Sequence, residues 1–157
     1  MLIKKEECIT QTDVEKTKEY YLQNTLCDCS SCRNFYAQAK EKLPALDEFL
    51  REFGVSVERP DKIGCVELDD SEYYIEASYT VCGKILEYNK FETDLKDGDS
   101  ALSIVIDDRY VPSDQKGECF VITVYHIILP WVLDEPFPKS EKNGFWNKLK
   151  SLIIKQS

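Results

Sequence analysis

The chain has 157 residues, 43% of them apolar, with six Gly and six Pro, which is enough for one buried core and leaves little room for a disordered linker. Twenty Lys and Arg against 29 Asp and Glu give a formal charge of −9, which opposes binding to a phosphate backbone and weighs against nucleic acid as a partner. No apolar run approaches the length of a membrane span, residues 1–7 lack the apolar core of a signal peptide, and seven Cys cannot all pair internally, so the expectation is one cytoplasmic domain over residues 1–157 with reduced thiols.

In chain order, Thr12-Asp13-Val14-Glu15 leads into a weakly amphipathic helix that ends near Gln23. Next comes the densest local chemistry, Cys27-Asp28-Cys29-Ser30-Ser31-Cys32, followed by Phe35, Ala39, Leu43, Leu46, Leu50 and Phe53 at helical spacing. Ser30 or Ser31 is the expected cap. Pro44 lacks the N–H that a helix interior needs, so the spacing predicts either a kink or two helices over 31–42 and 44–53, stopped by Gly54.

From Val55 the period falls to two. A short strand is expected near 64–68, and a second over 73–82, with Tyr73, Ile75, Ala77, Tyr79 and Val81 inward and Cys82 on the wetter face. A third covers 101–107. After a loop with Pro112 and Gly117, the run 119–129 is apolar on both faces and reads as central in the sheet, with His126 as a core imidazole. Pro130 and the Pro136-Phe137-Pro138 turn then lead to a closing helix, whose stripe is Phe145, Leu149, Leu152 and Ile153. The fold class is α+β: an antiparallel meander of about four strands, with N-terminal helices and a C-terminal helix packed on it.

Three thiols within six residues can hold a soft metal, zinc first, and Cys27, Cys29 and Cys32 need a fourth ligand, for which Cys82 leads Cys8, His126 and Asp28. A second Cys-x-x-Cys knuckle, which would make the zinc reading specific, is missing. Thiol exchange is the redox alternative, because Cys32 at a helix start feels the positive end of the helix dipole and Cys29 lies three residues away. Cys8, Cys65 and Cys119 read as small apolar core residues. A single histidine, scattered glycines and acidic pairs without a full calcium-loop ligand set give little support to an enzyme.

Charge is distributed unevenly. Residues 139–157 carry five Lys against one Glu, so the body of the chain is strongly acidic and suits a basic protein partner. Trp131, Asp134, Glu135, Asp69 and Asp70 are the candidate contact residues, with Trp131 as an anchor. The Lys-flanked closing helix offers a weaker alternative, contact with an anionic membrane surface without spanning it.

Two blocks, Cys27-Asp28-Cys29-Ser30-Ser31-Cys32-Arg33-Asn34-Phe35 and Pro130-Trp131-Val132-Leu133-Asp134-Glu135, resemble the paired signatures of small bacterial cytoplasmic proteins of uncharacterised function. The resemblance implies a shared fold and no activity. From the residues, the second block either pins the sheet edge to the cysteine loop or exposes an aromatic with two carboxylates. The leading expectation is a non-enzymatic protein-binding module, immunity-like in type; the rival is a zinc or thiol-redox protein working through the cysteine cluster.

Overall fold

The computed structural model describes residues 1–6, 8–69, 71–87, 90–98, 100–108 and 118–138. The expected C-terminal helix with its basic tail, the loop carrying Pro112 and Gly117, and Asp70 lie outside the described residues.

Among the described residues the elements run β1 (Leu2–Lys5), β2 (Cys8–Thr12), α1 (Val14–Gln23), α2 (Ser30–Lys42), α3 (Pro44–Arg51), β3 (Lys62–Glu67), β4 (Ser71–Glu87), β5 (Lys90–Asp97), β6 (Ser100–Asp107) and β7 (Cys119–Pro130). Helix and strand are mixed as expected, but the sheet has seven strands, not about four, in the order β1-β2-β4-β7-β6-β5 with β3 also on β4. Neighbouring strands pair antiparallel throughout. The three strands that the periodicity does not predict are short or strongly charged. In β5, Phe91 and Asp97 turn inward while Glu92, Asp94 and Lys96 stay in water, a pattern suited to an edge strand that must resist pairing with other chains.

The helical stripe behaves as its spacing predicts. Phe35, Ala39, Leu43, Leu46, Leu50 and Phe53 are all buried, and the five larger side chains are each worth roughly 1.5–3 kcal/mol in apolar burial. Phe53 meets Phe120 of β7 edge to face at 6.1 Å, which joins the helices to the sheet. Pro44 opens α3 where its missing N–H costs nothing, and the buried Asp97 carboxylate accepts from Leu46 N at 2.9 Å, satisfying a first-turn donor. Asp13 caps α1 by accepting from Lys16 N at 3.0 Å.

β4 is the spine of the sheet, and its alternation changes phase part-way along. Tyr74 and Ala77 are fully buried while Ile75 between them is 41% exposed, because β4 carries one extra residue against β3. The facing strand does the same: Ile127 and Val124 point inward, exposed His126 points out, and His126 has φ 72. Tyr73 and Ile75 are therefore not inward residues, and His126 is not a core imidazole. Its Nδ1 pairs with the Tyr73 hydroxyl at 2.7 Å on the outer face.

Beyond the β7 pairing, β4 bends at Gly83 to join β2. Gly83 has φ 143, and a Cβ there would sit 2.1 Å from the Gln11 carbonyl oxygen, so only glycine lets the two backbones pass. The helix α1 covers the face expected to be wet. Thr17 Oγ1 accepts from Cys82 N at 3.0 Å, and the Tyr21 hydroxyl donates to Thr80 O at 2.8 Å. Cys82 is buried as a result.

Candidate metal centre

The cysteine trio sits where an irregular segment enters α2. Cys29 occupies the N-cap without a side-chain cap bond, and its carbonyl accepts the first helical bond from Arg33 N at 3.0 Å. Ser30 and Ser31 are thus the first helical residues, not the caps. The Sγ atoms of Cys27, Cys29 and Cys32 all lie within 4.8 Å of one another, with Cys27 and Cys29 exposed and Cys32 buried. Three sulfurs around one zinc at about 2.3 Å stand roughly 3.8 Å apart, a spacing that small side-chain movements of the trio would reach.

The thiols are electrically unequal. Hydrogen bonds from the Cys29 backbone N–H and from the Cys29 and Cys32 thiols hold the Cys27 sulfur below the ordinary thiol range. Burial, followed by the hydrogen bonds that Cys32 makes to Cys29 and Cys27, pushes Cys32 strongly up. Burial also raises the Tyr36 phenol, one turn along α2, which bonds the Cys32 sulfur. The exposed Cys27 sulfur therefore gives up its proton more readily than the buried Cys32 sulfur.

A polar layer fixes the corner from below. Ser31 Oγ donates to the buried Glu72 carboxylate at 2.9 Å, and the Tyr74 hydroxyl donates to Ser31 O at 2.8 Å. Cys65, opposite Tyr74 in the β3–β4 register, bonds Ser31 and Glu72, and its thiol is raised to about 11, chiefly by burial. It lies close enough to Cys29 to feel its charge but outside the trio's 4.8 Å set.

From the side, the second sequence block clamps the helix. Fully buried Asn34 donates from Nδ2 to the Tyr74 hydroxyl and to Pro130 O, each at 3.1 Å, and its Oδ1 accepts from Val132 N at 2.8 Å. Gln38 Nε2 donates to the same Pro130 carbonyl at 2.7 Å. Arg33 makes a two-pronged pair with Glu135, both bonds 2.9 Å, and this holds the Glu135 carboxyl below its usual range. Trp131 is half-buried; its Nε1 donates to Glu135 O at 2.8 Å and its ring meets Phe137 edge to face.

The four expected metal ligands are not brought together. Cys82 is eight residues along β4 from Tyr74, roughly 25 Å of strand, and stands across from Cys119 instead. Among the described residues no fourth carboxylate, imidazole or thiol joins the trio. Cys119 and His126, seven residues apart on β7, are likewise held about 23 Å from each other. Of the expected partner contacts, Trp131 and Glu135 take part in the clamp, while Asp69 and Asp134 are exposed. Periodicity and spacing read Ser31 only as a cap and assign no role at this corner to Arg33, Asn34, Tyr36, Cys65 or Glu72. The polar Arg33-Asn34 pair ahead of the apolar stripe is the one local signal that marks the clamp.

No family model, no curated protein and no solved structure matches this chain. Among the described residues, no helix is long and apolar enough to cross a membrane.

Proposed function

We propose that Cys27, Cys29 and Cys32 bind one soft metal ion, with zinc as the first candidate. The observation that carries this reading is the convergence of three sulfurs within 4.8 Å on a corner held by two other segments of the chain. Thiolates suit zinc and other soft cations, and ligands from one short segment reduce the entropy lost on assembly. Two exposed sulfurs leave the solvent side of the ion open to water or an external ligand, while Tyr36 and Ser31 orient groups on the protein side. An ion here links the 24–29 segment to α2. Because each thiol that binds gives up a proton, affinity rises with pH.

The test is a zinc titration of protein purified without a histidine tag, against a chromophoric chelator, with free thiols counted before and after. The expected result is one zinc per chain with the trio protected and proton release on binding. Full titration of every accessible thiol in the presence of zinc would remove the proposal.

As a second reading we propose contact with a basic protein partner. Asp69 and Asp134 are exposed, and reversing both to Lys is expected to slow association with a basic partner in a salt-dependent way.

A further inference from the structure

A second group of sulfurs lies at the other end of β4. Cys82 and Cys119 are register partners across β4 and β7, and so project from the same face of the sheet. Gly83 N donates to Glu118 O at 3.1 Å, which makes Cys82–Cys119 a non-hydrogen-bonded pair. Such pairs hold their Cα atoms about 4.5 Å apart, with side chains closer than at any other cross-strand position, inside the range a disulfide spans. Cys82 N donates instead to Thr17 Oγ1, so closing a bridge breaks no ladder bond of that residue.

Both are buried, and Cys82 is reachable from one side. Cys82 lines a groove of about 740 Å³ between the start of α1 and the β2–β4 junction, whose rim includes Lys16 and Lys84. Cys82 is thereby open to a small disulfide that enters the groove. Asp13, Glu15 and Glu118 share the rim, so charges of both signs border it.

We propose that Cys82 and Cys119 form a reversible internal disulfide by exchange with a low-molecular-weight disulfide. The Cys82 thiolate attacks one sulfur of the small disulfide, its S–S bond breaks, and one small thiolate leaves. The Cys119 sulfur, having given up its proton, attacks Cys82 Sγ and expels the second small thiolate. The protein loses two electrons and two protons, and the small disulfide becomes two thiols. Burial raises both protein thiols and the Lys16 ammonium opposes it, so the exchange runs more slowly than at exposed Cys27. The bridge would tie β4 to β7 and close residues 83–118, with β5 and β6, into a loop.

In the test, the native full chain is incubated with oxidised glutathione, remaining thiols are alkylated, and the peptides are mapped without reduction. A Cys82–Cys119 cross-linked peptide that dithiothreitol removes is expected. The Cys119→Ser variant should instead stall with glutathione on Cys82. Oxidation confined to residues 27–32, or alkylation of both Cys82 and Cys119 after long exposure, would overturn the proposal. Because the deciding peptides come from the wild-type chain, a poorly folding variant does not blur the outcome.

Discussion

The two groups of thiols are built in opposite ways. Cys27, Cys29 and Cys32 are neighbours in sequence, partly exposed, and brought together by a helix start. Cys82 and Cys119 are far apart in sequence, buried, and brought together by strand register. A group made by local chain geometry can adjust, so it suits an ion that pulls sulfurs inward by about 1 Å. A group made by register is held at one spacing, so it suits a covalent bond with a narrow geometric window.

That contrast can be broken at each end separately. The largest effect is expected from Gly83→Ala, whose new Cβ meets the Gln11 carbonyl oxygen. Loss of about 3–4 kcal/mol in urea unfolding is expected, together with loss of the Cys82–Cys119 cross-link, while zinc affinity is unchanged. A fall in both properties together would show that the two ends of β4 are not independent.

Cys29→Ser should weaken zinc at least ~100-fold in chelator competition, or ~2.7 kcal/mol, with the cross-link intact. Without zinc its melting curve should match the wild type. Asn34→Leu, which removes hydrogen bonds to Tyr74, Pro130 and Val132, should cost about 2 kcal/mol and weaken zinc less than the loss of a ligand does, again sparing the cross-link.

The smallest effect is expected from Glu135→Gln. Arg33 lowers the Glu135 pKa on folding, so the pair contributes above the unfolded value, about 4.3, and the contribution disappears as pH falls through the folded value. Wild type and variant should therefore differ in thermal unfolding by a constant amount near neutral pH and converge in acid.

What can be read from the sequence follows the same division. The stripe from Phe35 to Phe53, the break at Pro44 and the gathering of three thiols all depend on residues within a few turns of one another, and all three are legible. Counting the strand phase from Tyr73 puts Cys82 on a wet face, available to the trio. The extra residue at Ile75 changes the phase on one side, and α1 covers the face on the other. The clamp is legible only as two unusual blocks. Nothing local tells Asn34 that its partners are Pro130 and Val132, and β1, β2 and β5 escape notice because short or charged strands carry little apolar alternation.

The paired outward kinks at Ile75 and His126 also constrain how the chain can change length. The two residues face each other without disturbing the β4–β7 register, because each strand carries two successive outward positions, Ile75-Glu76 and Tyr125-His126, at the same level. Deleting either one alone would slide half of the sheet by a residue and turn Tyr74 or Ile127 to solvent. Deleting both would restore simple alternation in each strand and leave every other pairing of β4 with β7 in place. Insertions and deletions at these two positions, distant in the chain and adjacent in the sheet, should therefore be tolerated only as a matched pair.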